Sequence, residues 1–299
     1  MNVLLVFQLG VGLFALAAFF FLFRDISHNK LEMKTDKKNY VKYGIMAVPY
    51  MFLDCLGIGS YAPLMVTFKA TKTIKDDLIP GTLNACCFFI ATVETILYTT
   101  TIDVSPVTLF VLIGGATVGA FFGSKFVSKL DITKIRFAMG GALIVVALVM
   151  IAGNLNLMPT GGDAIALSPG KLAFATVIAV ILGALMTIGI GIYAPIMALV
   201  YALGLSPLVA FPIMMGSCAF LMPTAAIGFI KSGKYDRKAA LTINFVGLIG
   251  VAIAVFFVTS IPLVILKWLV SVVLFYTAVI MFRDARKGQL EKNQAKAAA

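Results

Sequence analysis

The chain has 299 residues, of which 61% are hydrophobic and only 12% charged, with a net charge of +11 and a mean hydropathy of +1.03. A soluble domain carries about 25% charged residues, so this composition excludes an ordinary soluble protein. The basic residues lie in short patches between apolar runs, which is typical of membrane orientation signals and not of nucleic-acid binding. The sequence therefore predicts an all-α polytopic membrane protein.

The first apolar run covers residues 3–23. No Lys or Arg precedes it, and it ends in five large apolar residues, 19–23, where a cleaved signal peptide needs small ones. It is therefore predicted to be a retained transmembrane helix. A basic loop follows at 24–43, which predicts a cytoplasmic location for that loop.

A nine-residue phrase occurs twice in the chain. Residues 57–65 read GIGSYAPLM and residues 189–197 read GIGIYAPIM, with seven of nine positions identical. The register then continues without a gap, so that Cys86 pairs with Cys218. Repeated Gly and Pro breaks in corresponding hydrophobic segments are typical of the substrate sites of secondary transporters.

The charge pattern predicts that both broken segments turn back within the membrane. The loops 24–43 and 69–75 on either side of the first are both basic, so segment 44–68 enters and leaves on the cytoplasmic side. The second, 171–203, has almost no charge on either side and is too long for one span of about 20 residues. Both are predicted to be re-entrant hairpins.

Three ordinary spans are predicted after each hairpin: 78–99, 106–127 and 133–153, then 207–230, 239–259 and 262–282. A hairpin plus three spans makes an odd number of crossings, so the second repeat is inverted relative to the first. The alternative, in which both hairpins are full spans and the chain crosses nine times, remains open.

The predicted fold is thus two inverted repeats, each a re-entrant hairpin plus three transmembrane helices, preceded by one extra helix. The amino terminus is outside and the carboxy terminus is cytoplasmic. In order, the segments are the helix 1–23, the basic loop 24–43, transport repeat 44–153, external linker 154–170, transport repeat 171–282 and the basic cytoplasmic tail 283–299.

The breaks are predicted to be the anion site. Four glycines let the chain turn where a Cβ would clash: Gly57, Gly59, Gly189 and Gly191. Pro63 and Pro195 suit the first turn of the helix that follows each break. Each such helix N-terminus carries about half a positive charge, and two of them meeting at the midplane form an anion site without a basic side chain. Close packing of helices is the alternative role for these glycines.

Side-chain ligands are predicted just after the breaks or one turn beyond a repeated proline: Ser60, Tyr61, Tyr193, Asn84 and Ser217. Their alternative role is to bond their own backbone or a neighbouring helix. Two acids, Asp54 and Glu94, lie deep within predicted membrane segments and are predicted to carry a proton with each anion. The alternatives are a structural pair with a Lys or a backbone donor, or a neutral carboxyl held by hydrogen bonds. The four cysteines are predicted to be reduced packing residues.

These residues resemble the TauE/SafE-type sulfite exporter family, also called the toluene sulfonate uptake permeases. The resemblance covers about residues 44–282 and is carried by residues 57–59 with Pro63, 189–191 with Pro195, and 118–123. It implies secondary transport of sulfite, sulfonates or related organic anions across the plasma membrane of a prokaryote, coupled to an ion. A proton is the favoured coupling ion and sodium the alternative.

The chain departs from the family pattern in two places. It has residues 60–62 and 192–194 where many members run several glycines, and the N-terminal helix is interpreted as an addition. We expect no enzyme activity, since the sole histidine, His28, lies in a polar loop and no Walker, HExxH or GxSxG motif is present. We expect no cofactor, metal or nucleic-acid partner. A passive anion channel and a structural or assembly membrane protein are the competing functions, and oligomeric state, direction and the identity of the anion remain open.

Overall fold

The computed structural model of the chain describes residues 3–30, 33, 38–127, 132–155, 157, 162–186 and 191–297. Regular structure in these residues is almost entirely helical, in eleven α-helices. They are α1 (Val3–His28), α2 (Lys38–Cys55), α3 (Tyr61–Thr71), α4 (Ile79–Thr101), α5 (Pro106–Val127), α6 (Ile132–Asn154), α7 (Pro169–Met186), α8 (Tyr193–Ala202), α9 (Ala210–Lys231), α10 (Arg237–Ser260) and α11 (Leu263–Ala297).

Seven of the described helices are long and apolar enough to cross a bilayer, judged by length and composition: α1, α4, α6, α7, α9, α10 and α11. The apolar part of α5, Pro106–Phe122, and the helix α8 are shorter. The prediction of an all-α multi-pass membrane protein is thereby confirmed.

Two helices run further into basic segments than the apolar pattern indicated. α1 continues to His28, beyond the apolar run that ends at residue 23, and α11 continues to Ala297, beyond the predicted span that ends at 282. Lys, Arg, Gln and Ala are good helix formers, and the bilayer limits the length of the apolar run but not of the helix. Hydropathy therefore marks the membrane edge and not the helix end.

The chain divides into two compact units, and each contains helices from both sequence repeats. The first unit consists of residues 1–106 and 211–260, and the second of residues 107–210 and 261–299. The first break lies in the first unit and the second break in the second unit.

In the first unit, α2 and α3 run antiparallel on either side of the first break. The Tyr43 hydroxyl donates to the Thr73 carbonyl over 3.5 Å, and the hydroxyl oxygens of Tyr50 and Thr67 lie 2.6 Å apart. Both pairs are centred along the chain on residues 58–59. The beginning of α2 and the end of α3 therefore lie at the same end of the unit.

Helix α10 packs closely on α2 and is tied to α4 by a buried amide. A Cβ at Gly250 would collide with the backbone of Val48, so a glycine is needed for this approach. Asn244 is fully buried; its Nδ2 donates to the Ala85 carbonyl over 2.7 Å, and its Oδ1 accepts from the Phe89 N–H over 3.2 Å. The amide thus fixes α10 against the turn of α4 that lies near the first break.

The N-terminal helix α1 packs antiparallel to α4. Near its beginning, the Gln8 amide donates to the Thr99 hydroxyl over 3.0 Å. Further along, the ring of Phe19 meets that of Phe88 edge to face, with centroids 4.9 Å apart. These contacts make α1 an integral part of the first unit.

The other end of α1 is held by an ion pair. The Asp25 carboxylate accepts from Arg237 Nε and from the Tyr235 hydroxyl, each over 2.6 Å. Lys231 lies over the ring of Phe21, 4.4 Å from its centroid. The end of α1 and the α9–α10 loop are therefore joined at one end of the unit.

In the second unit, the beginning of α7 and the end of α8 also lie close together. Lys171 Nζ, near the beginning of α7, donates to the Leu203 carbonyl just after α8 over 2.8 Å. The Ser206 N–H donates to the Ala164 carbonyl over 2.9 Å. The beginning of α7 and the end of α8 therefore lie at the same end of the second unit.

Three further contacts lie within the second unit. A Cβ on Gly119 of α5 would collide with Val180 of α7, so these helices approach each other at glycine. Helices α6 and α11 pack with the rings of Phe137 and Phe282 5.9 Å apart. Lys267 of α11 lies 3.8 Å from the Asp163 carboxylate.

Candidate functional site

The first break ends α2 with a reversal that requires glycine. The Gly57 N–H donates to the Asp54 carbonyl and the Ile58 N–H to the Leu53 carbonyl, which is the Schellman pattern of helix termination. Gly57 has φ of 81° and Gly59 has φ of 87°, in the left-handed region that disfavours a Cβ. The predicted conformational role of these two glycines is thus found here.

The turn brings the carboxylate of Asp54 onto the N-terminus of the next helix. Its Oδ1 accepts the backbone N–H of Ser60 over 2.5 Å, and Asp54 is only 3% exposed. Ser60 is the N-cap of α3, and its own hydroxyl makes no capping hydrogen bond within the described residues. A negative side chain at this place offsets the partial positive charge of the helix end.

The first turn of α3 offers few other donors. Pro63 is its third residue and has no N–H, which leaves the N–H groups of Tyr61 and Ala62 without partners inside the helix. Among the described residues, the side-chain acceptor found at this helix end is Asp54 Oδ1. The side chain of Asp54 thus occupies the N-terminus of α3 in this structure.

Glu94 lies beside this arrangement, in the middle of α4. It is fully buried, and the Cys55 thiol donates to its Oε1 over 2.9 Å. Its Oε2 is buried without a hydrogen-bond partner in the part of the chain that the structure describes. Glu94 also lies within electrostatic range of Asp54, so two carboxyl groups share one apolar region.

Tyr98 secures the end of α2 against α4. Its hydroxyl donates to the Cys55 carbonyl over 3.0 Å, and its ring packs on that of Phe211 at 5.1 Å between centroids. Because Tyr98 follows Glu94 by one helical turn, both side chains reach Cys55 from one face of α4. The two acids are thus held at a fixed spacing by residues 55 and 98.

Hydroxyl, amide and thiol groups line the other side of the break. The Tyr61 hydroxyl donates to Asn84 Oδ1 over 3.1 Å, and Asn84 Nδ2 donates to the Pro80 carbonyl over 2.9 Å. Ser60 Oγ lies 3.8 Å from Cys87 Sγ, within hydrogen-bonding range of the thiol. These predicted ligands, Ser60, Tyr61 and Asn84, are therefore brought together.

Ser217 lies on α9 in the same unit, but its hydroxyl bonds the backbone of its own helix. Its hydroxyl is fully buried and donates to the Ile213 carbonyl over 2.8 Å, which is the alternative role considered for it. Its neighbour Cys218 lies within electrostatic range of Tyr61. The turn of α9 that holds Ser217 is thus close to the first break.

The second break differs from the first. Gly189 lies outside the described residues, and Gly191 has no positive φ, with nothing within 4 Å of a Cβ built on it. Among the described residues the structure therefore shows no clash for a Cβ at Gly191, and the preceding residues of this break, 187–190, lie outside the described part of the chain. Tyr193 is buried and begins α8, as Tyr61 begins α3.

Three residues of the site were not predicted from the sequence to belong to it: Cys55, Cys87 and Tyr98. The cysteines were expected only to pack, but Cys55 bonds Glu94, and Cys87 touches both Ser60 and, at 3.5 Å between sulfurs, Cys86. The signal for Cys55 was its position next to Asp54. The signal for Tyr98 was its spacing of one turn from Glu94.

Comparison with known proteins gives one match. A family model described as sulfite exporter TauE/SafE matches residues 2–150 and 172–299. The match begins well before residue 44, so the N-terminal helix lies within the family pattern and is not an addition to it. Neither the curated proteins nor the solved structures contain a match to the chain.

Proposed function

The chain belongs to the TauE/SafE sulfite exporter family, and from this premise we propose that it is a secondary transporter of a small organic or sulfur-containing anion. Sulfite and sulfonates are the first candidates, and the membrane is the plasma membrane of a prokaryote. The observation that carries the proposal is the contact of the Asp54 carboxylate with the N-terminus of α3.

The geometry of the first hairpin supports a site near the middle of the bilayer. From Tyr43 to Cys55 the helix rises about 18 Å, and from Tyr61 to Thr71 about 15 Å. Each arm is about half of the hydrocarbon thickness of about 30 Å. Both ends of this hairpin lie beside basic loops, which favours a first hairpin that returns to the cytoplasm. By the repeat we propose a second hairpin, seven full spans, an amino terminus outside and a carboxy terminus in the cytoplasm. The first arm of the second hairpin, α7, has 18 residues and reaches the length of a span.

Matched packing supports the inverted repeat. Position 247 of α10 lies 132 residues after position 115 of α5, and both are glycines that face the first arm of a hairpin. Gly247 meets Met51 of α2, and Gly115 meets Thr176 of α7. The same pairing of helices thus occurs in each unit, as two copies of one packing arrangement would produce.

The Asp54 carboxylate and a substrate anion would compete for one helix end. An ionised Asp54 uses the Ser60 N–H and repels a second negative charge beside it. Protonation removes that charge and weakens the hydrogen bond, so the helix end becomes open to the substrate. Proton uptake and anion binding then favour each other, and by linkage the effect is reciprocal.

Glu94, the second acid of the pair, stays protonated while Asp54 titrates. An ionised carboxylate with one unpartnered oxygen in an apolar region would cost several kcal/mol, so the group is held neutral. A neutral Glu94 keeps a negative charge away from the anion and leaves Asp54 as the acid that changes state. The substrate contacts are assigned to Gly57, Gly59, Ser60, Tyr61 and Asn84, with Ser217 on the adjacent helix.

The second hairpin would offer an anion a helix end without an internal acid. Position 186 is Met where the first repeat has Asp54, so no carboxylate precedes Tyr193 at the matching place. We therefore assign Gly189, Gly191 and Tyr193 to substrate binding and not to coupling. The two repeats then have different roles. Anion affinity at the first break depends on protonation of Asp54, whereas anion affinity at the second break does not depend on protonation.

The test is transport by the full-length protein in sealed liposomes with the membrane potential clamped at zero. A monovalent sulfonate that moves with one proton is carried without net charge. A pH gradient alone, acidic outside, should therefore accumulate the sulfonate inside the liposomes. A protonophore should abolish this accumulation. Replacing sodium by choline should change nothing. Flux that only reaches equilibrium indicates a channel, and absence of flux with every anion tested indicates a structural protein.

A further inference from the structure

The last helix carries a face of basic and apolar residues at one membrane interface. α11 has 35 residues and is about 52 Å long, well above the hydrocarbon thickness of about 30 Å. Trp268, the only tryptophan of the chain, lies near its beginning, and tryptophan is typical of membrane interfaces. Arg286 and Lys287 lie about 27–29 Å further along the helix, which places them at the opposite interface.

The side chains of α11 alone line a shallow, open groove of about 430 Å³ on this face. Its lining residues recur every three or four positions and so share one side of the helix: Val279, Phe282, Arg283, Arg286, Lys287 and Leu290. The three basic side chains are exposed, and the apolar residues at the two limits of the groove, Val279 and Leu290, are each 61% exposed. Positive charge and apolar surface are thus offered together.

The positive charges lack an acidic partner in the part of the chain that the structure describes. Among the described residues, none of Arg283, Arg286 and Lys287 forms an ion pair with an Asp or Glu; the ion pairs found there join Arg237 to Asp25 and Lys267 to Asp163. Uncompensated guanidinium and ammonium groups this close together favour an anion from outside the chain.

The apolar surface continues from the groove along the membrane-crossing part of the helix. Val272 and Tyr276 precede Val279 on the same side and are 65% and 50% exposed. A bound molecule would therefore need an anionic group beside the arginines and a long apolar part along this stripe. A soluble phosphate matches only the first of these features.

We propose that this groove binds an anionic phospholipid, with its phosphodiester on Arg283, Arg286 and Lys287 and an acyl chain along the stripe that ends at Val279. Two arginines suit a phosphodiester because the planar guanidinium donates two parallel hydrogen bonds to it. The site is independent of the transport proposal, since it uses none of the residues at the breaks.

The test measures thermal unfolding of the full-length protein in a neutral detergent as phosphatidylglycerol is added. The variant removes the three charges as Arg283→Gln, Arg286→Gln and Lys287→Gln, and the matched control removes three exposed charges elsewhere as Lys69→Gln, Lys75→Gln and Lys234→Gln. We expect the lipid to stabilise the wild type and the control equally. The triple variant should need at least tenfold more lipid for the same shift, at roughly fivefold per charge.

Phosphatidylcholine and glycerol phosphate serve as the second and third ligands. Equal stabilisation by phosphatidylcholine would show that charge is not recognised, and equal stabilisation by glycerol phosphate would show a soluble-anion site; either overturns the proposal. So does an equal loss in the control variant, which would indicate general electrostatic attraction. If the triple variant does not fold, the exposed single change Arg286→Gln gives the same comparison at roughly fivefold.

Discussion

The Asp54 carboxylate accepts a hydrogen bond from the backbone N–H of Ser60, across the two glycines that separate α2 from α3. The acid thus sits where the first helix ends and caps the helix that begins after it. Because the cap is negative and the helix end is positive, the contact is favourable only while no other anion takes that place.

The two glycines with positive φ should be intolerant of a side chain. Gly59→Ala places a Cβ at φ of 87°, a conformation that costs about 1–2 kcal/mol for an L-residue. We expect lower thermal stability and loss of anion binding, with partial recovery in Gly59→Asn, because Asn tolerates this region better. Gly191→Ala is the control and should have no effect on stability, since no described residue lies within 4 Å of its Cβ. Equal losses at both positions would contradict the difference found between the two breaks.

The hairpin proposal predicts accessibility from defined sides of the membrane. Single cysteines at positions 72 and 234 should react with an impermeant thiol reagent only from the cytoplasm, and those at 103 and 163 only from outside. The four natural cysteines are buried and give a low background. Labelling of position 72 from outside would mean that the first hairpin crosses the membrane completely.

Glu94 should behave as a neutral group. Glu94→Gln keeps its size and its acceptor for the Cys55 thiol, so we expect unfolding temperatures within a few degrees of the wild type. Glu94→Ala leaves a cavity and a thiol without its acceptor, and should cost about 2–4 kcal/mol. Thermal unfolding of the three proteins checks this. A large loss in Glu94→Gln at neutral pH would show that the charged form is the native one.

The ion pair at the end of α1 should stabilise the first unit. Asp25→Asn leaves the guanidinium of Arg237 and the Tyr235 hydroxyl without their charged acceptor, which should cost about 1–3 kcal/mol for such partly buried, charge-assisted bonds. Asp76→Asn removes the same charge from an exposed loop and serves as the control. Equal unfolding temperatures for the two variants would show that the ion pair does not stabilise the attachment of α1.

Much of this architecture could be predicted from the sequence. The repeated GIG phrase locates both breaks, and the residue types and their spacing point to Asp54, Ser60, Tyr61, Asn84 and Glu94. What these residues do to one another was not predictable. The contact of Asp54 with Ser60 depends on the reversal at Gly57, which directs a side chain of one helix onto the backbone of the next.

The two units also could not be inferred from the pattern. Helices α5, α6 and α11 group with the second hairpin, while α10 groups with the first, so the units cut across the sequence repeats. Apolar residues on every side of a membrane helix do not indicate which neighbour it will choose. The glycines at the contacts, Gly119 and Gly250, carry that information, but the sequence does not show which glycine meets which helix.

The central claim is that the substrate anion replaces the Asp54 carboxylate at the N-terminus of α3. It is tested most directly by measuring anion affinity as a function of pH in purified wild type and Asp54→Asn. The ligand is methanesulfonate, because a sulfonate stays ionised throughout the range while the protein titrates. Wild-type affinity should rise as the pH falls, since protonation and anion binding favour each other. Asp54→Asn should bind at all pH values with nearly constant affinity. A folded Asp54→Asn protein that keeps the wild-type pH dependence, or that no longer binds the anion at any pH, would contradict the account.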